Sequence, residues 1–189
     1  DPRLSPSLFD ALIVPEHDRA RGENVLVSKG SLNRLTLSSI QKAMMDLPTR
    51  WLTAARVNAV TVMLGGNNRR YKITLDMAGS MGERLANLSR DYNLKIMLIP
   101  SRRTPDGLVE AIAGALPDGH VLIPRADEAN VYPGVLGLGQ AVIVTSDSVN
   151  LASEATITGK PVLIAGWRPA TAGSPTGESG RIAAFHATM

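Results

Sequence analysis

The sequence predicts an α/β domain whose parallel sheet is covered by helices on both faces. Three observations carry that reading. From Val57 onward, short apolar and β-branched runs alternate with polar loops and helical stretches. The runs are continuously apolar, as strands buried on both faces are. No short-period repeat competes with this rhythm.

Residues 9–15 (FDALIVP) and 24–28 (NVLVS) read as two strands separated by the polar turn EHDRARGE, with a helix expected from Leu37 to Asp46 and stopped by Pro48. The first βα unit is VNAVTVML (57–64), the loop GGNNRRYK, and a helix from Thr74 to Tyr92, with Ala78, Met81, Leu85, Leu88 and Tyr92 at helical spacing. In the second, LKIMLI (94–99) leads through PSRRTP to a helix that Thr104 caps and Pro105 starts, with Leu108, Ile112 and Leu116 facing the sheet. HVLIP (120–124), RADEAN and a glycine-interrupted helix from Tyr132 to Leu138 make the third. AVIVT (141–145) then runs into Ser146, Asp147 and Ser148, and a helix follows that Gly159 and Pro161 end; PVLIA (161–165) is a fifth strand. Ser146 or Asp147 is the expected cap of that helix, leaving its free N–H groups to favour anions.

With 44% apolar and 20% charged residues, the 189-residue composition is that of a soluble globular chain with one good core and part of a second. No apolar run approaches the roughly 20 residues of a membrane helix, and DPRLSPSLFD lacks the order of a secretory signal, so a cytoplasmic setting is expected. There is no cysteine, and His17, His120 and His186 lack metal-ligand spacing, so no metal is expected. A net charge of +3 without basic runs, and only seven aromatics, argue against a nucleic-acid partner. The chain opens in mid-pattern without Met and ends on GRIAAFHATM without a closing helix; it reads as a piece of a longer protein.

Parallel strands place the loops that follow them on one edge of the sheet, where an open α/β sheet holds its ligand. That edge gathers Gly65, Gly66, Asn67, Asn68, Arg69 and Arg70 from the first loop, and Ser101, Arg102 and Arg103 from the second. Ser146, Asp147 and Ser148 join them from the fourth, with Asp147, Asn150, Leu151 and Glu154 on one helical face by their spacing. Forked arginine donors, glycines that admit close backbone approach and a helix start together suit a phosphate or pyrophosphate. The Glu154 carboxylate would suit the paired hydroxyls of a ribose. Plainer readings stand beside these: Gly-Gly after a strand is also a tight turn, and surface arginine pairs are commonly solvated. His17 with Asp18 could form a base and its orienter, and Trp51 and Trp167 read as packing residues. The run GVLGLGQ (134–140) precedes a strand, so it is not a dinucleotide fingerprint, and neither GxxxxGK[ST] nor GxSxG occurs.

FDALIVPEHD, NVLVSKGSLNR, LGGNNRRYKI, IPSRRTP and NVYPGVLGLGQAVIVTSDSVNLASEATITGKPV together resemble, in that order, the bacterial relatives of the plant mitochondrial-fission Elm proteins, often labelled predicted nucleoside-diphosphate-sugar epimerases. That family is similar in turn to two-domain GT-B glycosyltransferases, whose carboxy-terminal domain binds a nucleotide sugar. The resemblance implies a Rossmann-like domain over residues 51–189, the carboxy-terminal half of a GT-B-like fold, with residues 1–50 as the remnant of an amino-terminal domain and linker. It also implies that Gly65 and Gly66 match the donor-phosphate loop, Ser146 to Ser148 the donor-binding helix start, and Glu154 the ribose-binding acid. The expected ligand is a nucleotide-diphosphate sugar, used as donor substrate and not as a resident cofactor. The expected acceptor is a membrane-associated glycan, met by a protein peripheral at the inner membrane.

Two function classes follow: the donor-binding half of a glycosyltransferase-like protein, inactive by itself, or a non-catalytic adaptor of the fission-factor kind. The epimerase label fits poorly, because the chain has neither GxGxxG nor a Tyr-x-x-x-Lys pair to move a hydride.

Overall fold

The computed structural model describes residues 4–68 and 72–167. Two short strands, β1 (Leu12–Pro15) and β2 (Val25–Ser28), precede the helices α1 (Leu37–Met45) and α2 (Thr49–Ala55). The alternation then runs β3 (Ala59–Leu64), α3 (Leu75–Tyr92), β4 (Lys95–Pro100), α4 (Leu108–Ala113), β5 (Val121–Leu122), α5 (Tyr132–Leu138), β6 (Ala141–Thr145), α6 (Val149–Thr156) and β7 (Val162–Ala165). The last five strands form one all-parallel sheet in the order β5-β4-β3-β6-β7. This is an α/β, Rossmann-like architecture: the chain steps outward from β3 to β5, returns to the far side of β3, and steps outward again through β6 to β7. The order therefore reverses between β3 and β6, the place where such sheets open a ligand crevice.

All six residues of β3 are buried, as the central strand of a doubly covered sheet must be. Alternation splits them between two cores. Val60, Val62 and Leu64 pack with Met81 and Leu85 of α3 and Ile112 of α4, whereas Ala59 and Met63 pack with Ile40, Trp51 and Val135 on the opposite face. Helices thus cover both faces, as the sequence predicts. Trp51 and Trp167 are both buried, one in each core. α3 is capped by Thr74, whose hydroxyl accepts from Met77 N–H, and closes on Asn93 in the left-handed region at φ 49°.

The GVLGLG run is a contact surface. A Cβ on Gly134 would lie 2.7 Å from Ala43 O, one on Gly137 2.6 Å from Ile40 and Met44, and one on Gly139 2.6 Å from Thr61 N. The glycines let α5 sit directly on α1 and β3. Lys160 Nζ donates to the Gly137 and Gly139 carbonyls at the end of α5, and burial lowers its pKa.

Local chemistry departs from the sequence reading in four places. Pro48 does not simply stop a helix; it is the N-cap of α2, which the sequence reading missed and which carries buried Trp51. Thr104 does not cap α4. That helix starts at Leu108 behind Gly107, and the Thr104 hydroxyl instead donates to Gly65 O at 2.6 Å. The cap of α6 is Ser148, neither Ser146 nor Asp147, since its Oγ accepts from Leu151 N–H. The third strand is only Val121–Leu122.

β1 and β2 pair with each other, in parallel, and form a separate two-stranded sheet that leaves Ile13, Leu26 and Val27 exposed. Ser31 N–H donates to Ser153 Oγ on α6, and Gly30 lies so close that a Cβ would be 2.9 Å from the same oxygen. α1 and α2 share a core with β3 and β6, although α1 falls within the 1–50 segment that sequence assigns to an amino-terminal remnant.

Candidate functional site

The loops at the carboxyl ends of β3, β4 and β6 are bonded to one another. Gly65 N–H donates to Thr145 Oγ1 (2.8 Å) and Gly66 N–H to Asp147 Oδ2 (2.7 Å). Asp147 Oδ1 accepts from Trp167 Nε1 at 2.8 Å, and Asn68 Nδ2 donates to the Asp147 carbonyl. From the second loop, Ser101 Oγ donates to Gly65 O (3.0 Å), while Asn67 N–H reaches Arg103 O (3.2 Å). Asn67 Oδ1 in turn accepts from Ile73 N–H.

A cavity of about 540 Å³ opens beside this network, at the carboxyl ends of β3 and β4 and the start of α6. Ser101, Arg102 and Arg103 line one side of it, and Ser148, Asn150 and Glu154 another. Six of the residues expected from sequence are therefore brought together around one space. Arg102 and Arg103 are exposed, and Arg103 Nη2 donates to Ser148 Oγ at 3.5 Å, a long bond between the β4 and β6 loops.

The other expected residues are placed differently. Gly65, Gly66, Ser146 and Asp147 are buried and do not line the cavity; the Gly66 amide and both Asp147 carboxylate oxygens are committed to internal bonds. Asp147 precedes α6 and so leaves the face that Asn150, Leu151 and Glu154 share. Asn67 is exposed but points its carbonyl back into its own loop. His17 and Asp18 sit just after β1, half-buried and buried, and neither lines the cavity. Arg69 and Arg70 lie outside the described residues.

Two polar cavity residues escaped the sequence reading. Asn130 and Tyr132 come from the loop after β5, which parallel geometry places on the same edge as the others. Tyr132 opens α5, and its hydroxyl donates to Glu154 Oε2. Burial and the Glu154 carboxylate together push the pKa of that hydroxyl far above its ordinary value. The same loop joins α2 through an ion pair away from the cavity. Arg50 donates Nε and Nη2 to the two oxygens of Glu128, each at 2.6 Å, and stacks 4.6 Å above Trp51. Bonding to Arg50 pulls the Glu128 carboxyl from 4.5 down to about 2.

The arrangement can take a ligand that is anionic at the arginine side and bears hydroxyl donors at the Glu154 side. No cluster of three or more His, Cys, Asp or Glu suited to a metal occurs among the described residues, and none of their helices is long and apolar enough to cross a membrane.

Strand order and rim define the class: a Rossmann-like α/β chain with its crevice at the point of strand reversal. Within that class the chain belongs to the mitochondrial fission ELM1 family, whose profile matches residues 1–189. It is 29% identical over 193 residues to mitochondrial fission protein ELM1 of Arabidopsis thaliana, a match covering 87% of this chain and 44% of that protein. An uncharacterised protein of Rickettsia prowazekii (strain Madrid E) is 27% identical over 153 residues, 79% of this chain and 42% of its own length. The chain thus spans less than half the length of these curated relatives. Among solved structures, a dodecameric FMN-dependent UbiX-like decarboxylase from Escherichia coli O157:H7 matches with a TM-score of 0.37 and 11% identity, over 69% of this chain and 73% of that one. That likeness is too loose to argue from.

Proposed function

We propose that the cavity binds a nucleotide-diphosphate sugar and that the chain is the donor-binding part of a glycosyltransferase-like protein. The observation that carries this reading is the pairing of Arg102 and Arg103 with Asn150 and Glu154 around one space, at the reversal of strand order. The arginines would neutralise the diphosphate, the start of α6 would add its partial positive charge, and Glu154 would accept from ribose hydroxyls. In transfer, the bond from the anomeric carbon to the diphosphate oxygen breaks, the acceptor oxygen bonds to that carbon, and the acceptor's proton passes to the departing diphosphate or to solvent. Arg103 then stabilises the leaving diphosphate. The acceptor in this scheme is a membrane-associated glycan of the cell envelope.

A second reading is favoured by the family itself: a non-catalytic adaptor, in line with the name of the Arabidopsis relative. The Gly66 amide and Asp147, bonded internally, are as consistent with a scaffold as with a phosphate loop. A thermal-shift series with uridine and guanosine diphosphates and their sugars separates the two. A ligand at 100 times its Kd adds about 2.7 kcal/mol. Stabilisation of that size supports donor binding, and no shift with any nucleotide diphosphate supports the adaptor.

A further inference from the structure

We infer that Tyr132 is a positioning residue: it holds Glu154 so that the cavity distinguishes a ribose from a sugar lacking both the 2′ and 3′ hydroxyls. This rests on the nucleotide reading above and adds to it a determinant of specificity. Tyr132 comes from α5 and Glu154 from α6, so their bond joins two elements at the cavity wall. The Tyr132 ring is seated against the core on that face of the sheet, and its backbone N–H donates to Asn130 Oδ1 at 3.2 Å. Core packing thus seats the ring, and the Asn130 bond fixes the backbone that carries it.

A glutamate on a helix has three side-chain torsions and samples several rotamers unless something selects one. The Tyr132 hydroxyl selects one by occupying Oε2. Oε1 of Glu154 has no hydrogen-bond partner among the described residues, and the side chain lines the cavity. An ionised carboxylate so held is acceptor only. It takes hydroxyl donors and repels phosphate, which leaves the anionic end of a ligand to Arg102 and Arg103. Because burial and the carboxylate keep the phenol protonated, Tyr132 remains a donor throughout the neutral range.

Calorimetric titration of the 189-residue chain tests this with uridine and guanosine 5′-diphosphates, their 2′,3′-dideoxy counterparts and inorganic pyrophosphate. The wild type should prefer the ribo forms. Tyr132→Phe should shrink that preference about fivefold while leaving the pyrophosphate Kd within about twofold. Glu154→Gln should remove most of the preference, and Tyr132→Phe placed on that background should change it no further. An unchanged ribo preference in Tyr132→Phe overturns the inference, as does a parallel loss of pyrophosphate binding, which marks a merely structural bond. Wild-type protein that binds diphosphates without ribo preference overturns the inference alone. Wild-type protein that binds none of the probes overturns the nucleotide reading with it.

Discussion

Gly66→Ala should destabilise the fold and displace the arginines, because the space a Cβ needs is occupied by backbone. A Cβ built there lies 1.8 Å from Arg103 O, 2.1 Å from Arg103 C and 2.6 Å from Thr104 N. These atoms cannot rotate away as a side-chain tip can. The loop 101–104 must move, and with it go the bond from Asn67 N–H to Arg103 O and the seating of Gly66 N–H on Asp147. Overpacking of this kind costs about 1–3 kcal/mol and a lost hydrogen bond about 1 more, so a net loss of about 2–4 kcal/mol is expected. For a chain of this size that is a fall in Tm of roughly 5–15 °C. Urea and thermal melts measure it directly.

Gly79→Ala is the control, since nothing lies within 4 Å of a Cβ there and the site is inside α3. It should add about 0.5–1 kcal/mol through helix propensity alone. If Gly66→Ala melts within about 0.5 kcal/mol of wild type, the small effect usual for surface sites, the packing argument is refuted. A variant that keeps its stability and loses only pyrophosphate binding would return the Gly66 amide to the role of phosphate donor.

Glu154→Ala should weaken nucleotide-diphosphate binding by about 1.5–3 kcal/mol, read by calorimetry, and should also lower stability by about 1 kcal/mol because Tyr132 loses its partner. Unchanged stability would show that the Tyr132 bond contributes little. Glu128 is bound to Arg50 with its carboxyl near 2 against 4.5 unfolded, so its stabilisation is fully present above pH 4.5 and is lost as pH falls toward 2. Because Arg50 is a quarter exposed, solvent screening leaves about 1–2 kcal/mol, and urea melts of Glu128→Gln should lack that part of the decline between these pH values. The 189-residue chain should bind a donor without transferring sugar, since transfer needs an acceptor held against the anomeric carbon and β1 and β2 supply only a two-stranded sheet. Sugar transfer by this chain, followed with a radiolabelled donor, would place the catalytic groups on the rim itself.

The central strands of the main sheet were legible because burial on both faces demands apolar or β-branched residues, and AVTVML and AVIVT carry only Thr61 and Thr145 beside them, each with its hydroxyl bonded to backbone. Caps were less legible. Ser146, Asp147, Ser148 and Thr104 are all chemically able to cap, and which one does depends on partners distant in sequence. Thr104 is drawn to Gly65, and Asp147 to Gly66 and Trp167. α2 was missed because Pro48 was read only as a stop, although proline also serves at helix starts. Asn130 and Tyr132 could have been found by applying the one-edge rule to all four loops, since the segment after β5 ends on the same rim.

The buried Asp147 links these outcomes. Its two carboxylate oxygens bind the β3 loop through Gly66 and the segment after β7 through Trp167, while its carbonyl accepts from Asn68. A carboxylate taken from water is costly unless hydrogen-bonded, so these donors are required where they are. The Gly-Gly pair then follows, because a Cβ on Gly65 would lie 1.9 Å from Asp147 Oδ2 and only glycine lets the loop come that close. With Gly66 seated, Arg103 O meets Asn67 N–H, and the backbone that carries Arg102 and Arg103 is held against the crevice. The cavity wall is thus set by the packing of the strand ends before any ligand arrives. Asp147→Asn tests that order of cause: one amide oxygen can still accept from Gly66 or Trp167, but not both oxygens can, so stability and the position of the arginines should fail together.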